Sequence, residues 1–537
     1  MRTVPVLIAG GGPVGLTLAH ELARHEVGCL VIERNATTTA HPKMDLTNSR
    51  TMELYQRLGV AELVRSVGVP PDNPFDVLWC TSPTGTVLHR FAYPSQTERW
   101  RQLRDGNDGT QPAEPPVRIS QIVLEPALVG SLRTKPTVQH RFGTALEGFV
   151  QDAHGVTALL RDAEGRTEQV RARYLVGCDG GGSTVRRVLG IGLDGTPGVR
   201  PSYMVHFRSR RHDVLQHFGI VWHTQHATGT IIAQDDDRYW TLQARPPQDV
   251  DPATLDPAAV LRGFLGVDID AEVLVANPWV AHLLVAERYR HGRVFLCGDA
   301  AHQFIPTGGY GMNTGVADAV DLGWKLAAVL EGWGGEALLD SYDAERRPVA
   351  LRNRDASGRH AGVRADIARL YAAHPHADRD AEQAAALGAA IAATGNAENE
   401  QWGIEHGYRY AASPVIPDAV ADSDFDPATY RPSCEPGGRL PSVFLEDGTN
   451  LHRRLGRGFT LVCVGDVDPG PVTDAAAALG IPFGLVRLDG GWSRVYDRAL
   501  LLVRPDHHLA WSAARAPADW ATVLRTACGL PPDRAWS

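Results

Sequence analysis

Apolar and polar positions follow three rhythms along this chain. Residues 4–9, "VPVLIA", are an apolar run of strand length, the stretch to about His25 places its apolar residues at helical spacing, and a second apolar run ends at Glu33. Strand, helix and strand in that order predict a βαβ unit with parallel strands. Two later segments end in a similar way. Residues 174–178 form an apolar strand that runs into Asp179-Gly180 and a helix start near Ser183. The strand after Arg293 stops at Gly298-Asp299 and crosses a glycine-rich turn, with a helix expected from near Asn313.

Between Arg186 and Arg290 the rhythm becomes period two. "PSYMVHFRSR", "GIVWHTQHATGTIIAQ" and "RYWTLQARP" read as alternating strands, and with the segment from Phe75 to Leu88 they predict a second sheet. Helical spacing returns over residues 314–330, then in a charged helix where Pro348 is expected to mark a break or kink, then in "DAEQAAALGAAIAA". A stretch dense in Pro, Asp and Ser follows, and the last hundred or so residues alternate strand and helix. The expected division is residues 1–75, 112–195 and 285–395 for a nucleotide-binding domain and 76–111 and 196–284 for a sheet domain. Residues 396–436 are then a linker and 437–537 a C-terminal domain.

Composition narrows the function. A chain of 537 residues exceeds a single core, and its 43% apolar content suits a globular protein. No stretch reaches the roughly 18 uncharged apolar residues of a membrane helix. The N-terminus enters a strand without the basic and apolar blocks of a signal peptide, so a cytoplasmic location is expected. A formal charge of −9 without a sustained basic run argues against nucleic acid and for a small-molecule ligand. The seven cysteines show no CxxC and no zinc spacing, so neither a disulfide framework nor a metal is expected. His507 and His508, read as neighbours on one strand, would face opposite sides and take structural roles.

The first turn carries Gly10-x-Gly12-x-x-Gly15. In that pattern the first glycine permits the tight turn, the second lets a pyrophosphate approach the backbone, and the third allows close helix–strand packing. The helix that begins at Pro13 and Val14 offers unpaired N–H groups to phosphates. Glu33, at the end of the second strand, stands where a carboxylate takes ribose hydroxyls, and Arg34 would either meet an NADP phosphate or remain a solvated surface residue.

GxGxxG, then DG, then GD occur in order, and with them the chain resembles the FAD-dependent aromatic hydroxylases. These are single-component flavoprotein monooxygenases that include p-hydroxybenzoate hydroxylase, phenol hydroxylase and dichlorophenol hydroxylase. The resemblance implies an α/β fold: a Rossmann-like FAD-binding domain of the p-hydroxybenzoate hydroxylase type, a β-sheet substrate domain and a C-terminal thioredoxin-like domain. It implies FAD held by Gly10, Gly12, Pro13, Val14, Gly15, Glu33, Arg34, Asp179 and Gly298, with Asp299 on the ribityl chain. Pro306, Gly309, Gly311, Met312 and Asn313 would lie beside the isoalloxazine. Arg50 of "RTMEL" and Gln121 of "RISQIVLEP" match cofactor contacts, and Arg118 is a further candidate.

The implied reaction uses NAD(P)H, with NADPH ahead of NADH, and O2. A flavin C4a-hydroperoxide would hydroxylate a small phenolic or polycyclic aromatic, polyketide-type substrate. Pro306 keeps bulk away from the space between flavin and substrate. Asp45 matches the catalytic aspartate of phenol hydroxylases, with burial beside the flavin expected to raise its pKa; otherwise it caps or solvates its loop. Tyr203, His206, Phe218, Trp222, His223, Tyr239 and Trp240 are candidate pocket residues, about half of them expected to face the core. His302 is expected to bond within its own turn. Baeyer–Villiger insertion or epoxidation in natural-product biosynthesis stays open, as do a non-catalytic flavin module and a homodimer.

Overall fold

In the computed structural model, which describes residues 1–247, 250–421 and 423–532, the first apolar run is the strand Arg2–Ala9. It lies centrally in an eight-stranded sheet, parallel to Thr167–Gly177 on one side and Cys29–Ile32 on the other. Val294–Leu296 and Val138–Arg141 extend the parallel set outward. All five strands run the same way, so their carboxyl ends open on one edge, which is where open α/β sheets bind ligands. Helices Pro13–Arg24 and Tyr310–Glu331 share one core with that sheet through Leu16, Leu18, Leu22, Val316 and Val320. The second helix starts at Tyr310, earlier than the expected Asn313, because Gly309 adopts a left-handed backbone (φ 64°) that serves as its cap.

The period-two segments form a second eight-stranded sheet. Leu193–Arg208 pairs antiparallel with Tyr239–Ala244 and with Glu272–Ala286, a strand that sequence rhythm passes over because Pro278 interrupts it. His223–His226, Gly229–Ala233, Val77–Cys80 and Val87–Phe91 complete the sheet. Alternation along the central strand sorts the side chains. Tyr203, Val205 and Phe207 join Trp240 in a core shared with helix Pro257–Leu265, while Ser202 and Met204 line a cavity on the other face.

Helix Glu336–Ala373 runs unbroken through Pro348, contrary to the expected interruption. A proline removes only one intrahelical bond, and Tyr342, Val349, Ala350 and Ala356, buried on both sides of it, hold the two halves in line. The expected linker is packed as well. Tyr408, Tyr410, Val415 and Ile416 are buried in the same cluster as Phe459, Leu461 and Leu502 of a four-stranded C-terminal sheet. Strands Phe459–Val464 and Phe483–Leu488 are parallel, Leu500–Val503 and Leu509–Ala513 antiparallel, with helices Val472–Ala478 and Trp520–Ala527, giving the βαβββα order of a thioredoxin-like domain. His507 is not on a strand: it sits in the turn before Leu509 with φ 69°, and both it and His508 are buried. No described helix is long and apolar enough to cross a membrane.

A buried ionic cluster docks the C-terminal unit. Lys325 Nζ meets Asp321 Oδ2 at 2.8 Å and Glu345 Oε2 at 2.5 Å. Arg504 reaches Glu345 Oε1 (2.8 Å), Asp321 Oδ1 (2.9 Å) and Asp506 Oδ2 (2.6 Å). Three carboxyls thus surround two cations. Burial, with Glu345 and Asp506 close by, pushes the Asp321 carboxyl well above its usual range. Replacing Arg504 by Met leaves those carboxyls with a single cation in a water-poor interior. The expected loss is about 3–5 kcal/mol of stability, measured by denaturant unfolding with FAD held constant.

Candidate active site

Two cavities of about 700 and 430 Å3 meet between the sheets. Gly10, Gly12, Pro13, Val14, Glu33, Arg34, Gln121, Asp179, Gly311 and Met312 line the larger one. The segment Lys43, Met44, Asp45 and Leu46 lines both, as do Trp279, Asp299, Pro306 and Gly309, so they mark the junction.

The glycine turn is built for backbone proximity. Gly10 has φ 112°, and a Cβ there would sit 2.1 Å from the Cys178 carbonyl oxygen; a Cβ on Gly15 would lie 2.1 Å from that of Gly10. Helix Pro13–Arg24 is thereby pressed onto the strand ends, with its first-turn amides, unpaired within the helix, at the cavity wall. Gly15 itself lines neither cavity and acts through packing.

Three acidic residues end the strands, and their partners differ. Glu33 accepts from the Gly11 and Asn35 N–H groups at 2.9 Å each. Asp179 accepts from Ser183 Oγ (2.5 Å) and from the Thr184 and Val185 N–H groups (2.7 and 3.1 Å), and Ser183 caps the short helix. Asp299 faces the cavity, and no described residue donates to its carboxylate. Enclosure by the cavity walls raises its pKa, against the attraction of His302 and Lys43. A helix mouth for a pyrophosphate, acceptors for ribose and a carboxylate with no donor of its own fit FAD.

Several expected cofactor residues stand elsewhere. Arg50 lines neither cavity: it donates to Glu53 (2.9 Å) and to the Asp506 carbonyl (2.8 Å), and Glu53 is also bound by Arg439. Its Nη1 and Nη2 are therefore engaged in docking the C-terminal unit, while Nε has no hydrogen-bond partner among the described residues. Arg118 is paired with Asp236 at 2.7 Å and donates to the Pro74 and Ala233 carbonyls, tying the two sheets together. Asn313 lines neither cavity because its amide is fully engaged, accepting from Asn48 N–H and donating to the Leu46 and Gly309 carbonyls. Gly298 lies against Val14, which is 2.9 Å from where a Cβ would stand. Gln121 does line the larger cavity and donates to Glu125 at 2.7 Å.

Asp45 accepts from Trp222 Nε1–H at 2.7 Å and faces His223 Nε2 at 3.4 Å. Burial pushes its pKa up, but His223 and the Trp222 hydrogen bond outweigh it, so the net shift is downward, opposite to the expected rise. His302 bonds Asp318 Oδ2 on the long helix (2.8 Å) and not a partner in its own turn. Of the seven aromatic candidates, only Trp222 and His223 reach the smaller cavity. Sequence reasoning missed Trp79 and Trp279 there, and Lys43 and Glu125 in the larger one. Glu125, four residues after Gln121, shares its helix face, a spacing that could have found it.

A nucleotide-binding sheet opposed to a ligand-facing sheet across joined cavities defines a class of flavoprotein. A family model described as FAD binding domain matches residues 3–357, and one described as aromatic-ring hydroxylase, C-terminal, matches residues 433–531. The chain is 38% identical to the FAD-dependent monooxygenase apdD of Emericella nidulans, over 98% of this chain and 90% of that protein. It is 30% identical to the tetracenomycin A2 monooxygenase-dioxygenase of Streptomyces glaucescens, over 98% and 96% of the two chains. The flavin-dependent monooxygenase PieE, solved in complex with FAD and substrate, superposes with a TM-score of 0.88 at 30% identity, covering 98% of this chain and 99% of that one. The chain belongs to the FAD-dependent aromatic-ring hydroxylases, a family of flavoprotein monooxygenases.

Replacing Asp299 by Ala removes a cavity-facing acceptor without breaking any protein hydrogen bond. FAD affinity is expected to fall roughly 10- to 100-fold with the melting profile of the apoprotein unchanged. A fluorescence titration with FAD checks this, and an unaltered affinity contradicts it.

Proposed function

We propose that this protein uses NAD(P)H, NADPH ahead of NADH, and O2 to hydroxylate a phenolic or polycyclic aromatic, polyketide-type compound. The observation that carries this reading is the junction of the cavities. Trp79, Trp222, Trp279, Met204 and Ile232 give the smaller cavity broad apolar walls suited to a planar ring system. It opens onto the larger one along Pro306 and Gly309, with Lys43, Met44, Leu46 and Trp279 lining the same junction. Bound in the larger cavity, FAD supplies the electron transfer and oxygen activation that no side chain can provide.

The chain's own residues do the rest. The walls exclude water from the junction. Asp45, held ionised by Trp222 and His223, is a weak base but a strong acceptor for a phenolic O–H. It also orients His223, whose Nε2 faces it at 3.4 Å.

Substrate-stimulated NADPH oxidation with 1-naphthol and polycyclic phenols under labelled O2 tests the reaction. One labelled oxygen on an intact ring system is expected; a ring-expanded lactone or an epoxide contradicts hydroxylation, and hydrogen peroxide alone contradicts oxygen transfer. Asp45→Asn is expected to lower kcat about 10²- to 10⁴-fold while FAD affinity holds. Because the Asp45 pKa lies below its ordinary value, the carboxylate stays charged as pH falls through the usual aspartate range. The acid limb of the kcat profile that depends on Asp45 is therefore expected below about pH 4. An Asp45-dependent limb near neutrality contradicts this assignment.

A further inference from the structure

The smaller cavity holds two arginines that no described carboxylate pairs. Between the strands Leu193–Arg208 and Glu272–Ala286, inclusive, the chain has seven arginines and no lysine. Five are ion-paired: Arg208 with Glu272, Arg210 with Asp237, Arg211 with Asp213, Arg238 with Asp235 and Arg262 with Asp268. Among the described residues the remaining two, Arg200 and Arg245, have no ion-pair partner and no side-chain hydrogen bond, and both line the smaller cavity and not the larger.

A third arginine on this cavity shows what such a group accepts here. Arg364 holds the Glu398 carboxylate through Nε (3.0 and 3.1 Å) and Nη2 (2.7 Å). Arg200 has no such partner. Burial, followed by repulsion from Arg364 and Arg245, lowers its pKa to about 10, so it stays charged at neutral pH in surroundings that disfavour the charge. An anion at that point would relieve both effects. At the junction two carboxyls, Asp45 and Asp299, stand with a single cation, Lys43, so acceptors outnumber cations there. The charges thus give a bound molecule a preferred direction, with its proton-donating hydroxyl toward Asp45 and an acidic group toward the arginines.

We propose that Arg200 and Arg245 form an anion subsite, and that the natural substrate is an aromatic carrying a carboxylate or comparably acidic oxygen besides the ring that is oxidised. The subsite rests on the monooxygenase reading of the cavity. It lies outside the larger cavity and its Glu33, Asp179 and Asp299 strand ends, so it is a specificity element and not part of the flavin cradle.

Calorimetry on the FAD-loaded protein tests the subsite with 6-hydroxy-2-naphthoic acid and its methyl ester, which share a ring, carry the hydroxyl at the far end from the acidic group and differ in charge. The wild type, the double variant Arg200→Gln/Arg245→Gln and the control Arg262→Gln are compared. Neither cavity arginine makes an ion pair, so the double variant removes no fold contact of that kind; its melting temperature is read alongside. The acid is expected to bind roughly tenfold or more tightly than the ester in the wild type and the control, and the double variant is expected to erase the difference. Equal binding of acid and ester by the wild type, or an undiminished preference in the double variant, overturns the proposal. So does a double variant that loses NADPH affinity in flavin reduction while keeping its affinity for the acid, because the anion would then be the reductant's phosphate. NADPH oxidation measured in the same samples separates the two ideas. Arginine-dependent binding with no oxidation stimulated by acid, ester or 1-naphthol contradicts the monooxygenase reading and leaves the subsite standing. Stimulated oxidation without an acid preference does the reverse.

Discussion

A parallel sheet places every strand's carboxyl end along one edge, and the site depends on that constraint. At this edge the chain turns through Gly10, Glu33, Asp179 and Gly298-Asp299, so backbone amides and carboxylates crowd into one crevice. The three acids are not equivalent. Glu33 and Asp179 are anchored by protein N–H groups and fix their loops, whereas Asp299 is left to a ligand. Two carboxylates preorganise the crevice, and the third is available to recognise what enters it.

The ligand-facing half is held in register by polar contacts across the junction. Asn313 fastens the segment that carries Asp45 to the start of the long helix, and the Ile119 and Gln121 N–H groups donate to the Asp45 and Met44 carbonyls. Trp222 then reaches from the second sheet to the Asp45 side chain. That hydrogen bond ties the second sheet to the Asp45 loop and, together with His223, keeps the carboxyl below its usual range. Farther out, the cluster of Asp321, Lys325, Glu345, Arg504 and Asp506 joins the C-terminal unit to the two long helices behind the site. The absence of a CxxC fits a C-terminal unit that serves packing and not thiol exchange.

Features set by neighbours in sequence were legible before the fold was known. The glycine turn, the acidic strand ends, the helix start at Ser183 and the period-two sheet all follow from local rules. What escaped was set by partners far along the chain. Arg50 looked like a cofactor ligand because its tertiary acceptor, the Asp506 carbonyl, lies 456 residues away. Arg118 meets Asp236 across 118 positions. The pKa of Asp45 turns downward through Trp222 and His223, 177 and 178 positions distant. Trp279 was hidden by Pro278, which a long paired strand accommodates, and Pro348 failed to break a helix that is buried on both sides of it. That Arg200 and Arg245 have no ion-pair partner among the described residues was equally invisible, since it becomes apparent only once the described carboxylates have been assigned.

The most direct measurement is a crystal structure of the protein loaded with FAD. Density is expected for the adenosine at Glu33, for the pyrophosphate at residues 12–14 and for the isoalloxazine along residues 306–312, with its far face open to Trp222 and Asp45. A flavin bound outside that crevice, or a ring system walled off from the smaller cavity, contradicts the joined-cavity architecture.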